Sequence, residues 1–237
     1  MSVFTSLVII LLAMLIQGFL ELSPGLFACF YHHALGKTSS RKADDRSLSF
    51  ILGVEICTAA FFLIAYLAVS FFAVEKDFMN TTFLWIMAGI FLVEAIVSFF
   101  FYFRRSRKAG KNSTELFVTR HVAKALVHHA ETAKNRSDTV LLGFITCALE
   151  LFFTLPLYII CSVEILNISA TSGFIFIIAY IIIATVPLFG IRTFFRTGHN
   201  LAEIQRFRVK KKFPTRLVIS LSFLAIAIVT FITGLPK

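Results

Sequence analysis

Six long apolar runs, near residues 3–34, 48–73, 79–103, 139–163, 171–191 and 214–234, limit what this chain can fold into. A helix needs about 20 apolar residues to cross a bilayer. Inside hydrocarbon every backbone N–H and C=O must find its partner within the segment or in a closed barrel, and runs of this length suit helices. The expectation is an all-α membrane protein with six transmembrane helices. Composition agrees: the chain is 58% hydrophobic, carries 29 phenylalanines and has a mean hydropathy of +0.85, far from a soluble domain. The first run starts at Val3 without a basic segment ahead of it and outlasts a leader's apolar stretch, so it reads as a span.

The net charge of +10 invites a nucleic-acid reading, but the distribution of the charge argues against it. Lys37, Arg41, Lys42 and Arg46 fall between the first and second runs. The stretch from Arg104 to Arg136 and the stretch from Arg192 to Arg216 hold nearly all the rest, leaving only Lys76 and Lys237 elsewhere. Basic loops stay on the cytoplasmic side. These three loops are therefore expected inside, with both termini outside, in a multi-pass protein of the cell (inner or plasma) membrane. The partners expected are the lipid bilayer, a small-molecule solute and a coupling ion, with no nucleic acid and homo-oligomerisation left open.

Three crossings followed by three more insert the second group in the opposite sense. That is the layout of two inverted three-helix repeats, with residues 1–103 as the first, 104–138 as a basic cytoplasmic linker and 139–237 as the second. Both halves carry Leu-Glu-Leu near a proline: Leu20-Glu21-Leu22 before Pro24, and Leu149-Glu150-Leu151 before Pro156. Within the linker, Asn112 to Glu115 has the form of a capping box, followed by one apolar helical face through Val118, Val122 and Leu126.

Four glutamates, Glu21, Glu55, Glu94 and Glu150, sit inside apolar runs that hold no lysine or arginine to neutralise them. An acid at the bilayer centre costs roughly 2.5–3.5 kcal/mol on insertion scales, so such residues face a cavity, carry a proton or bind a cation. Glu21 and Glu150 come out near mid-depth and are the first candidates for a substrate or proton site. Glu55 and Glu94 lie nearer the cytoplasmic side, where a gate or proton exit would sit. The alternative for each is a protonated side chain hydrogen-bonded to a neighbouring helix. Ser23, Pro24 and Gly25 should break the first helix beside Glu21, since proline removes a backbone donor and glycine loosens the next turn. Glu164 falls near the outer end of its run, where its head could snorkel to water.

Cys29, Cys57, Cys147 and Cys161 all lie within runs and form no CxxC pair. His32 and His33 are adjacent, a poor spacing for chelation on a helix. No metal site or cofactor is expected. The chain has no HExxH, phosphate-binding loop, dinucleotide fingerprint or serine elbow, and nothing points to an enzyme.

The stretch Gln17-Gly18-Phe19-Leu20-Glu21-Leu22-Ser23-Pro24-Gly25, then Ala34-Leu35-Gly36 and Phe50-Ile51-Leu52-Gly53-Val54, resembles the LysE superfamily of small membrane exporters. The resemblance implies six spans and export of amino acids, metal cations or related solutes against protons or the membrane potential. Those exporters read Pro-Gly-Pro-Asn where this chain has Pro24-Gly25-Leu26-Phe27. The wider group is similar in layout to CcdA/DsbD thiol–electron carriers, which place a cysteine where Gly25 stands here. The leading expectation is a proton-coupled secondary transporter working by alternating access. An electron carrier through Cys29 and Cys147 or Cys161, and a non-transporting membrane scaffold, are the alternatives.

Overall fold

Wherever they are described, the apolar runs are helical in the structure, a computed structural model that describes residues 3–20, 39–73, 81–106, 135–168, 173–197 and 201–235. Side chains at 19, 40, 73, 101–106 and 201–216 fall outside that description. Seven helices occupy the described residues: α1 Val3–Leu20, α2 Ser40–Ala73, α3 Thr81–Ser106, α4 Arg136–Leu149, α5 Leu151–Ile168, α6 Gly173–Arg196 and α7 Leu201–Thr233. The linker helix expected after Asn112 lies outside the described residues.

Two helices start eight or more residues ahead of their apolar runs. α2 begins at Ser40 and α7 at Leu201, so each carries a charged first section in line with its apolar one. The fourth run, expected as one span, is divided at Glu150. That residue takes φ −87° and ψ −3°, and its N–H reaches back to the Cys147 carbonyl at 3.0 Å, a tightened turn. Pro156 lies inside α5 and has no N–H for the carbonyl one turn before it, a weak point within two turns of the division.

Packing runs between distant parts of the sequence. α2 lies against α4, α5 and α6; α1 lies against α5, α6 and α7; α3 lies chiefly against α7. Contacts fix the directions. Arg136 meets Asp45 and Cys147 meets Thr58, so numbers rise together and α4 runs parallel to α2. Asp44 meets Arg192, Glu55 meets Thr185 and Phe62 meets Tyr180, so α6 runs antiparallel to α2. Trp85 meets Phe231, Phe91 meets Phe223 and Ser220 donates to the Ala95 carbonyl, so α3 and α7 are antiparallel.

The helices turn apolar side chains outward as well as inward. On α2, Leu52, Ile56, Ile64, Leu67 and Phe71 are exposed, whereas Ser47, Thr58 and the aliphatics around them are buried. An extended apolar exterior of this kind is rare on a soluble monomer and is what lipid contact requires. Four described helices, spanning Arg41–Phe72, Thr81–Phe100, Leu151–Ile168 and Gly173–Arg196, are long and apolar enough to cross a membrane.

Charge gathers at one end of the α2–α4–α6 group. Arg192 grips Asp44 through two bonds of 2.8 and 2.7 Å, with Arg196 3.9 Å from the same carboxylate, while Arg136 pairs with Asp45 at 2.8 Å. The Arg192–Asp44 side chains are 14% and 26% exposed against 75% and 43% for Arg136–Asp45. A shielded, bidentate pair is the stronger of the two, and exposed pairs contribute about 0–1 kcal/mol. Double-mutant cycles read by denaturation should give about 1–2 kcal/mol of coupling for Asp44–Arg192. The Asp45–Arg136 cycle should fall near zero.

Candidate functional site

Two glycines bring α2 and α4 together. A Cβ built on Gly53 would collide with the Val140 carbonyl and lie 3.0 Å from the Phe144 nitrogen. One built on Gly143 would collide with the Phe50 carbonyl and lie 3.2 Å from the Gly53 Cα. With no side chain at either position the two backbones touch, as small residues permit between membrane helices. One turn further along, Thr58 faces Cys147, its Oγ1 3.6 Å from Sγ.

A buried polar node forms at that level. Gln17, on α1, is fully buried, and its Nε2 donates to Thr58 Oγ1 at 3.2 Å and to the Tyr158 hydroxyl at 2.8 Å. Three elements, α1, α2 and α5, therefore meet through one amide. Above it the Tyr158 ring stacks on Phe62 at 5.3 Å, and Tyr180 of α6 presents its edge to Phe62 at 4.7 Å. Most buried hydroxyls elsewhere bond back to their own helix, as Thr146 does to the Leu142 carbonyl and Ser162 to the Tyr158 carbonyl. The Gln17 node instead joins helices. Tyr158→Phe, which removes an acceptor from a buried amide, should cost about 1–3 kcal/mol in thermal or denaturant unfolding.

Two acids lie one helical turn along the chain from Thr58 and its neighbour Cys147. Glu55 precedes Thr58 by one turn on α2, is half-buried, and its Oε1 lies 3.4 Å from Thr185 Oγ1 on α6. That hydroxyl also has shorter contacts, 3.0 and 3.2 Å, to the Ile181 and Ile182 carbonyls of its own helix. It carries one proton, so its oxygen is equally placed to accept a hydrogen bond from a protonated Glu55. Glu150 follows Cys147 by one turn and is buried at the α4–α5 break, where its own carbonyl accepts from the Phe153 and Thr154 N–H groups. Counting about 1.5 Å per residue, Glu55 lies about 16 Å from the Asp44 level and Glu150 about 21 Å from the Arg136 level, both well away from the charged end.

Glu94 stands apart from this group. It is buried on the face of α3 that also carries Phe91, Ala95 and Ser98, against α7. Glu21, Ser23, Pro24 and Gly25 lie outside the described residues, as do Cys29, His32 and His33. Glu164 departs from expectation. Instead of snorkelling it is 0% exposed, packed beside Ser6 of α1 and Asn167. Its place in α5 suggests nearness to water, but the packing of α1 against α5 covers it.

Sequence reasoning alone does not single out Gln17, Thr58, Tyr158 and Thr185 for chemistry. Only Gln17 leaves a usable signal, an amide one turn before Glu21 in an otherwise apolar helix. The hydroxyl residues look like ordinary span composition until their partners are seen. Cys57, Cys147 and Cys161 are free thiols and fully buried. Among the described residues, no three His, Cys, Asp or Glu side chains are placed to hold a metal ion.

The described residues are almost wholly helical, and four long apolar helices among them place the chain among membrane proteins. No family model, curated protein or solved structure matches it.

Proposed function

We propose that the protein is a secondary transporter of a small polar or cationic solute, working by alternating access of two oppositely inserted three-helix halves. The observation that carries this reading is the polar node. Gln17 of the first half bonds Tyr158 of the second, with Glu55 one turn from Thr58 and Glu150 one turn from Cys147, the thiol that Thr58 faces. Polar groups at such depth are costly unless they serve a pathway or one another.

The helix pairing supports the inverted-repeat layout. Exchange the first span for the fourth (α4–α5), the second for the fifth (α6) and the third for the sixth (α7). The contact of α2 with α4–α5 then maps onto that of α1 with α6, and the contact of α1 with α7 maps onto that of α3 with α5. The pairs α1–α5, α2–α6 and α3–α7 map onto themselves. Parallel α2 and α4 also agree with spans that alternate in direction. The charged end bearing Arg136 and Arg192 would face the cytoplasm, with both termini outside.

Export, and an amino acid or metal cation as cargo, rest on the resemblance of Gln17 to Gly25 to LysE-type exporters. An electron-carrier role is less well supported, since thiol exchange needs an accessible thiolate and the three described cysteines are buried. The test is flux in proteoliposomes under an imposed pH gradient, with amino acids and divalent metals offered first. Purified protein should also gain thermal stability from the cognate solute. Absence of flux and of stabilisation across that panel would leave a scaffold as the better account. Retained activity in a variant lacking all four cysteines excludes the electron carrier.

A further inference from the structure

Glu94 is 3% exposed, and neither carboxyl oxygen has a hydrogen-bond partner. One turn along α3, Ser98 is fully buried, and its hydroxyl also has none. Two unsatisfied polar side chains thus share one face of α3, in a helix pair otherwise closed by Phe91 on Phe223 and by Ser220 bonded to the Ala95 carbonyl. Leaving such groups buried and unbonded is costly, so the pair invites an occupant.

The surroundings narrow what that occupant is. α3 holds no other acid or base between Thr81 and Phe100, and α7 brings no titratable side chain between Leu217 and Leu235. α5, which touches α3 more lightly, contributes Tyr158, Cys161 and Glu164. Among these described side chains there is no cation to balance a carboxylate. Hard metal cations take six or more oxygens. Glu94 and Ser98 offer three, and the carbonyls beside them are engaged in α3 itself. A proton needs only one.

We propose that Glu94, with Ser98 beside it, is a proton-carrying site in the α3–α7 pair, separate from the solute node at Gln17, Glu55 and Glu150. With α3 and α7 packed as seen, the carboxyl holds its proton, and Ser98, one turn along the same face, is the hydroxyl nearest to it along the helix. When the two helices part, water reaches the carboxyl and the proton leaves. The α3–α7 pair joins the two proposed halves, so parting it is a motion that alternating access already requires. The coupling role rests on the transport reading, whereas the presence of the proton does not.

A membrane-permeant carbodiimide reacts with protonated carboxyls in apolar surroundings, and mass spectrometry locates the adduct. On the intact protein in liposomes, Glu94 should be modified, with labelling falling several-fold as pH is raised. Saturating sodium or magnesium should leave the labelling unchanged. Ser98→Ala should move the pH at which labelling falls. No adduct at Glu94, or an adduct insensitive to pH, overturns the proposal; protection by sodium or magnesium overturns it in favour of a metal cation. Labelling is scored whether or not solute moves, so a wild-type protein without flux sinks the transport reading alone. Where flux is found, Glu94→Gln should lose its acceleration by a pH gradient at least tenfold, and Glu94→Asp should restore part of it. Gradient-driven flux unchanged in Glu94→Gln would remove the coupling role.

Discussion

Gly143→Val is expected to prevent α2 and α4 from assembling, and it is the largest stability effect anticipated for a single substitution in this chain. The obstacle is backbone, not a movable side chain: even a Cβ at this position meets the Phe50 carbonyl and the Gly53 Cα. Overpacking a well-filled core costs about 1–3 kcal/mol and occasionally more. Here the helices would have to separate, and the loss would reach the contacts that depend on their crossing, Thr58 with Cys147 first among them. Gly53→Val should behave alike, because its Cβ meets the Val140 carbonyl. Gly89→Val is the control, since a Cβ there meets nothing within 4 Å. Thermal aggregation midpoints in mild detergent should fall steeply for the first two and little for the third. Equal midpoints for all three would show that the α2–α4 contact is not as close as drawn.

The second large effect is on flux. Under the proposed function, Glu55→Gln and Glu150→Gln should each reduce solute transport at least tenfold while the protein stays folded, because glutamine keeps the volume and removes only the charge and the exchangeable proton. Thr185→Val separates the roles. It removes the hydroxyl near Glu55 Oε1, a contact long at 3.4 Å, so its effect should be the smaller one. Flux preserved in both glutamine variants would remove these acids from the pathway and leave Gln17 and Tyr158 to carry it.

How much of this is legible in the sequence depends on the kind of interaction. Helix identity follows from run length, since hydrocarbon leaves the backbone no other open choice, and α2, α3 and α6 cover the runs read from composition. The division at Glu150 is only half visible: Pro156 marks a weak point, but which peptide yields depends on what packs around it. Glu164 misleads for a related reason. Distance along a helix measures depth, and burial also depends on which neighbour lies across from the residue. Gln17 shows itself as part of a motif and not as a contact, because an amide's partners, here Thr58 and Tyr158, lie far away in the chain.

The sequence by itself determined that this chain is helical and apolar on its outside, and where its basic residues lie relative to the helices. Those properties are sums over local residues, and the bilayer thickness acts on them directly. Tertiary structure alone decided which polar groups meet. The approach of α2 to α4 depends on two missing side chains far apart in the chain, at Gly53 and Gly143. The placing of Gln17 against Tyr158, and the isolation of Glu94 with Ser98, depend on which helix faces which. Sequence patterns cannot express such pairings, since hydrocarbon and protein interior favour the same apolar surface and only packing tells them apart.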